Sequence, residues 1–179
     1  MDLPLQPHPL HSPEAVSAVT ARILGVDGSW LKLRWRVDGS HSLVVPPFAG
    51  KGRADGLWQT TCFELFLMPD GGPGYCEFNL SPSERWAAYD FAGYRDGMAE
   101  RSVEREPQGT MRLGSNFAIF DAAIPLSALP GSACRMNLAA VIEEQGGAKS
   151  YWALAHPADK PDFHDPACFV ATLAAPGRA

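Results

Sequence analysis

The chain has 179 residues, 46% of them hydrophobic and 20% charged, with a formal net charge of −5. That length suits one domain with its own hydrophobic core, and that composition excludes an intrinsically disordered chain. The acidic balance and the lack of any Lys/Arg block argue against nucleic acid and anionic membrane as partners, and no run approaches the roughly 18 apolar residues of a membrane span.

The opening stretch, "MDLPLQPHPLHSPEAV", has neither a basic n-region nor an apolar h-region, and its prolines interrupt any helix. The expectation is an extended lead-in over 1–14, a single domain over 15–175, and a cytoplasmic protein without a secretory signal. From residue 16 onward, period two dominates. In "WLKLRWRV", Leu31, Leu33, Trp35 and Val37 share one face and Lys32, Arg34 and Arg36 the other, the pattern of a half-buried antiparallel strand. Short runs of this kind recur at 16–26, 41–45, 61–68, 75–81, 85–91, 110–114, 116–124, 134–143, 149–156 and 168–174. Turn chemistry separates them: "DGS" twice, "PDGGPG", "SPSE" and "QGGA". Only "PLSALPG" (125–131) reads as a helical turn. About ten brief strands with regular turns predict an all-β fold, an antiparallel, jelly-roll-like β-sandwich. Cys62, Cys76, Cys134 and Cys168 each lie in a strand-like run and fit no zinc spacing, so they read as buried free thiols.

The anomaly is Glu64, set in "CFELFL". Folding 61–68 onto 75–81 across "PDGGPG" pairs Leu67 with Cys76, Leu65 with Phe78 and Phe63 with Leu80, an apolar face. Glu64 then lies opposite Asn79 on the other face, with Glu77 on the diagonal. The next hairpin, through "SPSE", puts Trp86 on the core side and Arg85, Ala87 and Tyr89 on the Glu64 side. A face bearing acid, amide, guanidinium and phenol with small residues between them is a ligand surface in outline; a solvated outer face is the competing reading. "YRDGM" (94–98) reads as a turn, with Arg95 and Met98 near that face. Strand 134–143 sends Met136, Leu138, Ala140 and Ile142 one way and Asn137, Ala139, Val141 and Glu143 the other. The closing "HPADKPDFHDP" then gathers His156, Asp162 and His164 in a proline-stiffened loop of the sort that carries binding residues.

Trp58, the 61–64 strand, "YCEFNLSPSERWAAYDF" and "SYWALAHPADKPDFHDPACF" together resemble a bacterial group of DOMON-like domains related to the family 9 carbohydrate-binding modules, over roughly residues 10–175. The resemblance implies a β-sandwich of the carbohydrate-binding-module type that recognises a small polar ligand, most often a sugar, without catalysis. Trp58 would stack on the sugar, Glu64 and Arg85 would bond its hydroxyls, Asn79 would support them, and Trp152 is the nearest candidate for a second stacking residue. Glu77, Tyr89, His156 and His164 complete the candidate set. It implies no obligate cofactor, but other DOMON domains hold haem through Met, His or Lys, which makes His156, His164, Met68 and Met98 alternative ligands. Two more chemistries remain open on residue type. One is a metal site on His156, Asp162 and His164. The other is glycoside hydrolysis, which needs two carboxylates roughly 5–10 Å apart, here Glu64 and Glu77.

Overall fold

A computed structural model describes residues 1–175. Thirteen strands appear among them: β1 Asp2–Pro7, β2 Ala18–Asp27, β3 Trp30–Asp38, β4 Gly52–Arg53, β5 Cys62–Pro69, β6 Tyr75–Leu80, β7 Arg85–Phe91, β8 Ala99–Glu100, β9 Gln108–Leu113, β10 Phe117–Pro125, β11 Cys134–Glu143, β12 Lys149–Ala153 and β13 Ala171–Leu173. Hydrogen bonding runs β4-β7-β6-β5-β11-β12-β1-β2-β3-β10-β9, with β13 beside β11 and β8 beside β7. Every ladder is antiparallel except the short β4–β7 pair. No helix among the described residues is long and apolar enough to cross a membrane.

This path curls over on itself to make the expected sandwich. One layer holds β2, β3, β10 and β9; the other holds β7, β6, β5, β11 and β12. Their inner faces meet in one core. Leu31, Leu33, Trp35 and Val37 of β3 are buried as the alternation predicts, and Trp35, Phe63 and Phe120 pack ring to ring, with Phe63 and Phe120 stacked at 4.4 Å. Each such buried side chain stabilises by about 1.5–3 kcal/mol, and the aromatic pairs add their own geometric preference.

The N-terminal segment takes part in both layers. Asp2–Leu5 pair with Val19–Arg22 of β2, whereas Gln6 and Pro7 pair with Ala153 and Trp152 of β12. β1 therefore leaves one layer and joins the other. Its prolines do not oppose this, because a short strand at a sheet corner needs few N–H donors. The run 41–45 is also not a strand: Ser40–Ser42 form a 3-10 turn, and Leu43 makes one isolated bridge to Glu144. Glu144 holds this corner by accepting from the Glu14, Ala15 and Val16 amides and from Ser42 Oγ. The "PLSALPG" turn is a 3-10 turn at Leu126–Ala128. All four cysteines are buried and free.

The hairpin that carries Glu64 has the predicted register: Phe63↔Leu80, Glu64↔Asn79, Leu65↔Phe78 and Leu67↔Cys76. The next one pairs Leu80 with Trp86 and Asn79 with Ala87. Yet β5 is buried on both faces. The outer face of this layer carries a second apolar cluster, in which Phe66, Tyr75 and Phe91 are covered by Phe163, Cys168 and Phe169 from the closing loop.

Candidate ligand-binding site

One row of side chains crosses the outer face: Ala87, Asn79, Glu64, Ala139 and Ala153 on β7, β6, β5, β11 and β12. Methyl groups flank the acid–amide pair on either side, so the sheet is low there and larger neighbours rise around it. The result is a recess of about 950 Å³ with Glu64 and Asn79 in its lining. Glu77 and Tyr89, paired one row along, line it as well.

The closing loop makes the trough a pocket. Asp162, itself buried, accepts from Arg95 Nη2 at 2.8 Å, from the Tyr94 hydroxyl at 2.5 Å and from the His164 amide at 3.1 Å. Burial opposes its charge, but the Arg95 and Tyr94 bonds outweigh it and hold the Asp162 carboxyl below its usual range. Asn137 ties the loop to the sheet by donating to the Phe163 carbonyl at 3.3 Å. Arg95 itself sits in the left-handed region, φ 51, inside the Gly93–Asp96 turn. For a non-glycine residue that conformation is uncommon, and here it accompanies the bidentate grip on Asp162.

The floor is electrostatically unusual. Glu64 and Asn79 are 3% and 2% exposed, and among the described residues Glu64 Oε1 and Asn79 Oδ1 have no hydrogen-bond partner. Asn79 spends its amide donor on Glu77 Oε1 at 2.8 Å, which leaves its oxygen free. Desolvation, reinforced by the neighbouring Glu77 charge, raises the Glu64 carboxyl well above its usual range. Glu77 is raised to about 7 by desolvation, against the opposing pull of the Asn79 bond and Arg95. Beside them His164 is lowered to about 4, by burial first and Arg95 second. A donor chain orients that ring. The Arg95 amide donates to the Tyr75 oxygen at 3.3 Å, and the Tyr75 hydroxyl lies 2.8 Å from His164 Nδ1. On the other side of the ring, Nε2 faces Glu77 Oε2 at 3.8 Å.

Trp58 borders the same recess. It sits in a 3-10 turn, Leu57–Gln59, which opens on Gly56 at φ 70. Leu57 packs on the outer cluster, and Trp58 is left 54% exposed. Tyr151 and Phe163 supply a second aromatic border, with ring centroids 6.2 Å apart.

Of the residues proposed from sequence, Trp58, Glu64, Glu77, Asn79, Tyr89 and His164 line this recess, whereas Arg85, Trp152 and His156 do not. Arg85 has the expected parity but stands at the first position of β7, and its guanidinium bonds the Ala49 carbonyl at 2.6 Å and 3.1 Å. Trp152 pairs with Ala140 on the inner face, is 2% exposed in the core, and donates to Ser150 Oγ. His156 donates through Nε2 to the Gln6 carbonyl, beside β1. The haem ligands considered above do not converge: His156 lies elsewhere, Met68 is in contact with Arg135, and Met98 is exposed at the rim. Nor do His156, Asp162 and His164 form a metal centre, since no group of three metal-ligating side chains is placed for one among the described residues. Sequence reasoning missed Tyr151 and Asp55, which accepts from the Tyr89 hydroxyl, and treated Arg95 chiefly as turn structure. The parity of "SYWAL" held the signal for Tyr151: a core-facing Trp152 turns its neighbour outward.

No known family profile matches the chain, and no curated protein sequence does. Among the solved structures that match it in fold are two of carbohydrate-binding type by description. A "putative carbohydrate-binding protein" from Bacteroides uniformis ATCC 8492 superposes with TM-score 0.65 at 20% identity, over 97% of this chain and 85% of that one. A family 9 carbohydrate-binding module from Caldicellulosiruptor kristjanssonii, in complex with glucose, superposes with TM-score 0.52 at 13% identity, over 98% and 85%. The DOMON side of the sequence resemblance has no counterpart in these comparisons. At such identities the likeness speaks for architecture, and the chain has the β-sandwich fold seen in carbohydrate-binding modules.

Proposed function

We propose that the protein recognises a sugar, without catalysis, in the recess over β5 and β6. The observation that carries this reading is the pair of buried, unpartnered oxygens, Glu64 Oε1 and Asn79 Oδ1, in a recess bordered by a half-exposed tryptophan. A folded protein leaves few such atoms unbonded, because each costs about 1–3 kcal/mol. Sugar hydroxyls would satisfy them, and the indole of Trp58 would cover the C–H face of the ring. The fold shared with a glucose-bound module supports the same choice of ligand.

Hydrolysis by Glu64 and Glu77 is the weaker reading. Both carboxyls rise from one sheet face, with Asn79 paired opposite Glu64 and bonded to Glu77, so they would meet a ligand from the same side, whereas hydrolysis needs them to flank the bond. The test is calorimetric titration with monosaccharides and short oligosaccharides. Binding is expected in the millimolar range or tighter, and Trp58→Ala should weaken it by roughly tenfold or more while leaving stability within about 0.5 kcal/mol. Equal affinity in the variant would remove Trp58 from the site, and absence of any sugar binding would overturn the reading.

A further inference from the structure

We propose that this recess prefers an amino sugar to a neutral one, seating a protonated primary amine on Glu64 Oε1, Asn79 Oδ1 and the Glu77 carboxylate. The inference rests on the sugar-binding reading above and adds the chemical class of the ligand.

The argument begins with counter-charge. Asp55, Glu64, Glu77 and Glu100 line the recess, against Arg95 and Lys160 as the basic side chains that line it among the described residues. Arg95 is already committed to Asp162. Lys160 is exposed, and His164 is neutral near pH 7 because burial depresses it. Two buried carboxyls thus share the floor, and among the described residues neither forms a salt bridge with Lys or Arg. Carboxyls so placed hold protons for want of a cation. A ligand that brings its own cation removes that penalty; a neutral ligand leaves it in place.

Valence agrees with charge. Asn79 has turned its donor toward Glu77, so its free atom is an acceptor, and so is Glu64 once ionised. An ammonium group has three donors and no acceptor. A sugar hydroxyl offers one donor and presents its own lone pairs to the remaining oxygens. The other titratable groups facing the pair do not alter this balance: Cys62 on β5 has its thiol pushed up by burial, Tyr89 donates to Asp55, and Tyr75 is bonded to His164.

The test compares glucosamine, glucose and N-acetylglucosamine by isothermal titration calorimetry near pH 7 at low salt. Glucosamine is expected to bind at least about tenfold more tightly than the other two. Repeating the titration in buffers of different ionisation enthalpy should show proton release with glucosamine and none with glucose, a readout that needs no variant. Glu77→Gln should bring the glucosamine-to-glucose affinity ratio close to one. Equal binding of glucose and glucosamine, or glucosamine binding without proton release, overturns this inference and leaves the sugar-binding reading standing. Failure of all three sugars to bind overturns both.

Discussion

The opposed titrations of Glu77 and His164 can be separated by mutation. Glu77 goes from 4.5 in an unfolded chain to about 7 in the fold. Between those values the unfolded chain has lost the proton that the folded one keeps, so stability falls as pH rises, by about 3 kcal/mol across the window. His164 goes from 6.5 to about 4. Between those values the unfolded chain holds the extra proton, so stability rises with pH, again by about 3 kcal/mol. Over roughly pH 4.5–6.5 these two slopes cancel, because Glu77 and His164 together hold as many protons folded as unfolded, and the raised Glu64 carboxyl supplies a falling background common to all three proteins. Relative to wild type, Glu77→Gln should gain stability progressively as pH rises from 4.5 to 7, because it removes the falling Glu77 slope. Relative to wild type, His164→Gln should lose stability progressively as pH rises from about 4 to 6.5, because it removes the rising His164 slope. Urea unfolding at half-unit pH intervals measures both. Parallel pH profiles for the two variants would refute the assignment of these shifts to Glu77 and His164.

Two controls follow from residues that lie outside the recess. Arg85→Gln removes the two bonds to the Ala49 carbonyl; it should cost on the order of 1 kcal/mol by chemical denaturation and leave sugar affinity unchanged by calorimetry. Trp152→Phe deletes a core indole and its bond to Ser150; it should cost about 1–3 kcal/mol, with sugar affinity in the folded protein unaltered.

Much of the β5–β6–β7 face is written in the amino-acid order. Side chains alternate strictly along a strand, and one register of 61–68 on 75–81 sets Phe63, Leu65, Leu67, Cys76, Phe78 and Leu80 on one side. That logic places Glu64, Asn79, Glu77, Ala87 and Tyr89 together and needs no tertiary information. The same logic would have sent Trp152 inward and Tyr151 outward, had it been carried across the β11–β12 hairpin.

What parity leaves open is what covers a face and how far a side chain reaches along it. Arg85 is on the correct side but too near the end of β7, where a loop carbonyl claims it. Arg95 and Asp162 are 67 residues apart, and their pairing, which pins the closing loop over Phe66 and Tyr75, depends on a turn and a loop meeting in space. β1 has too few residues in each layer to show an alternation of its own, and it becomes a strand only because β2 and β12 both present open edges to it. Local periodicity therefore determined the strands, their faces and the acid–amide floor. The burial that leaves Glu64 unpartnered came only with the tertiary structure, because desolvation is a property of everything packed around a group and not of its neighbours in the chain.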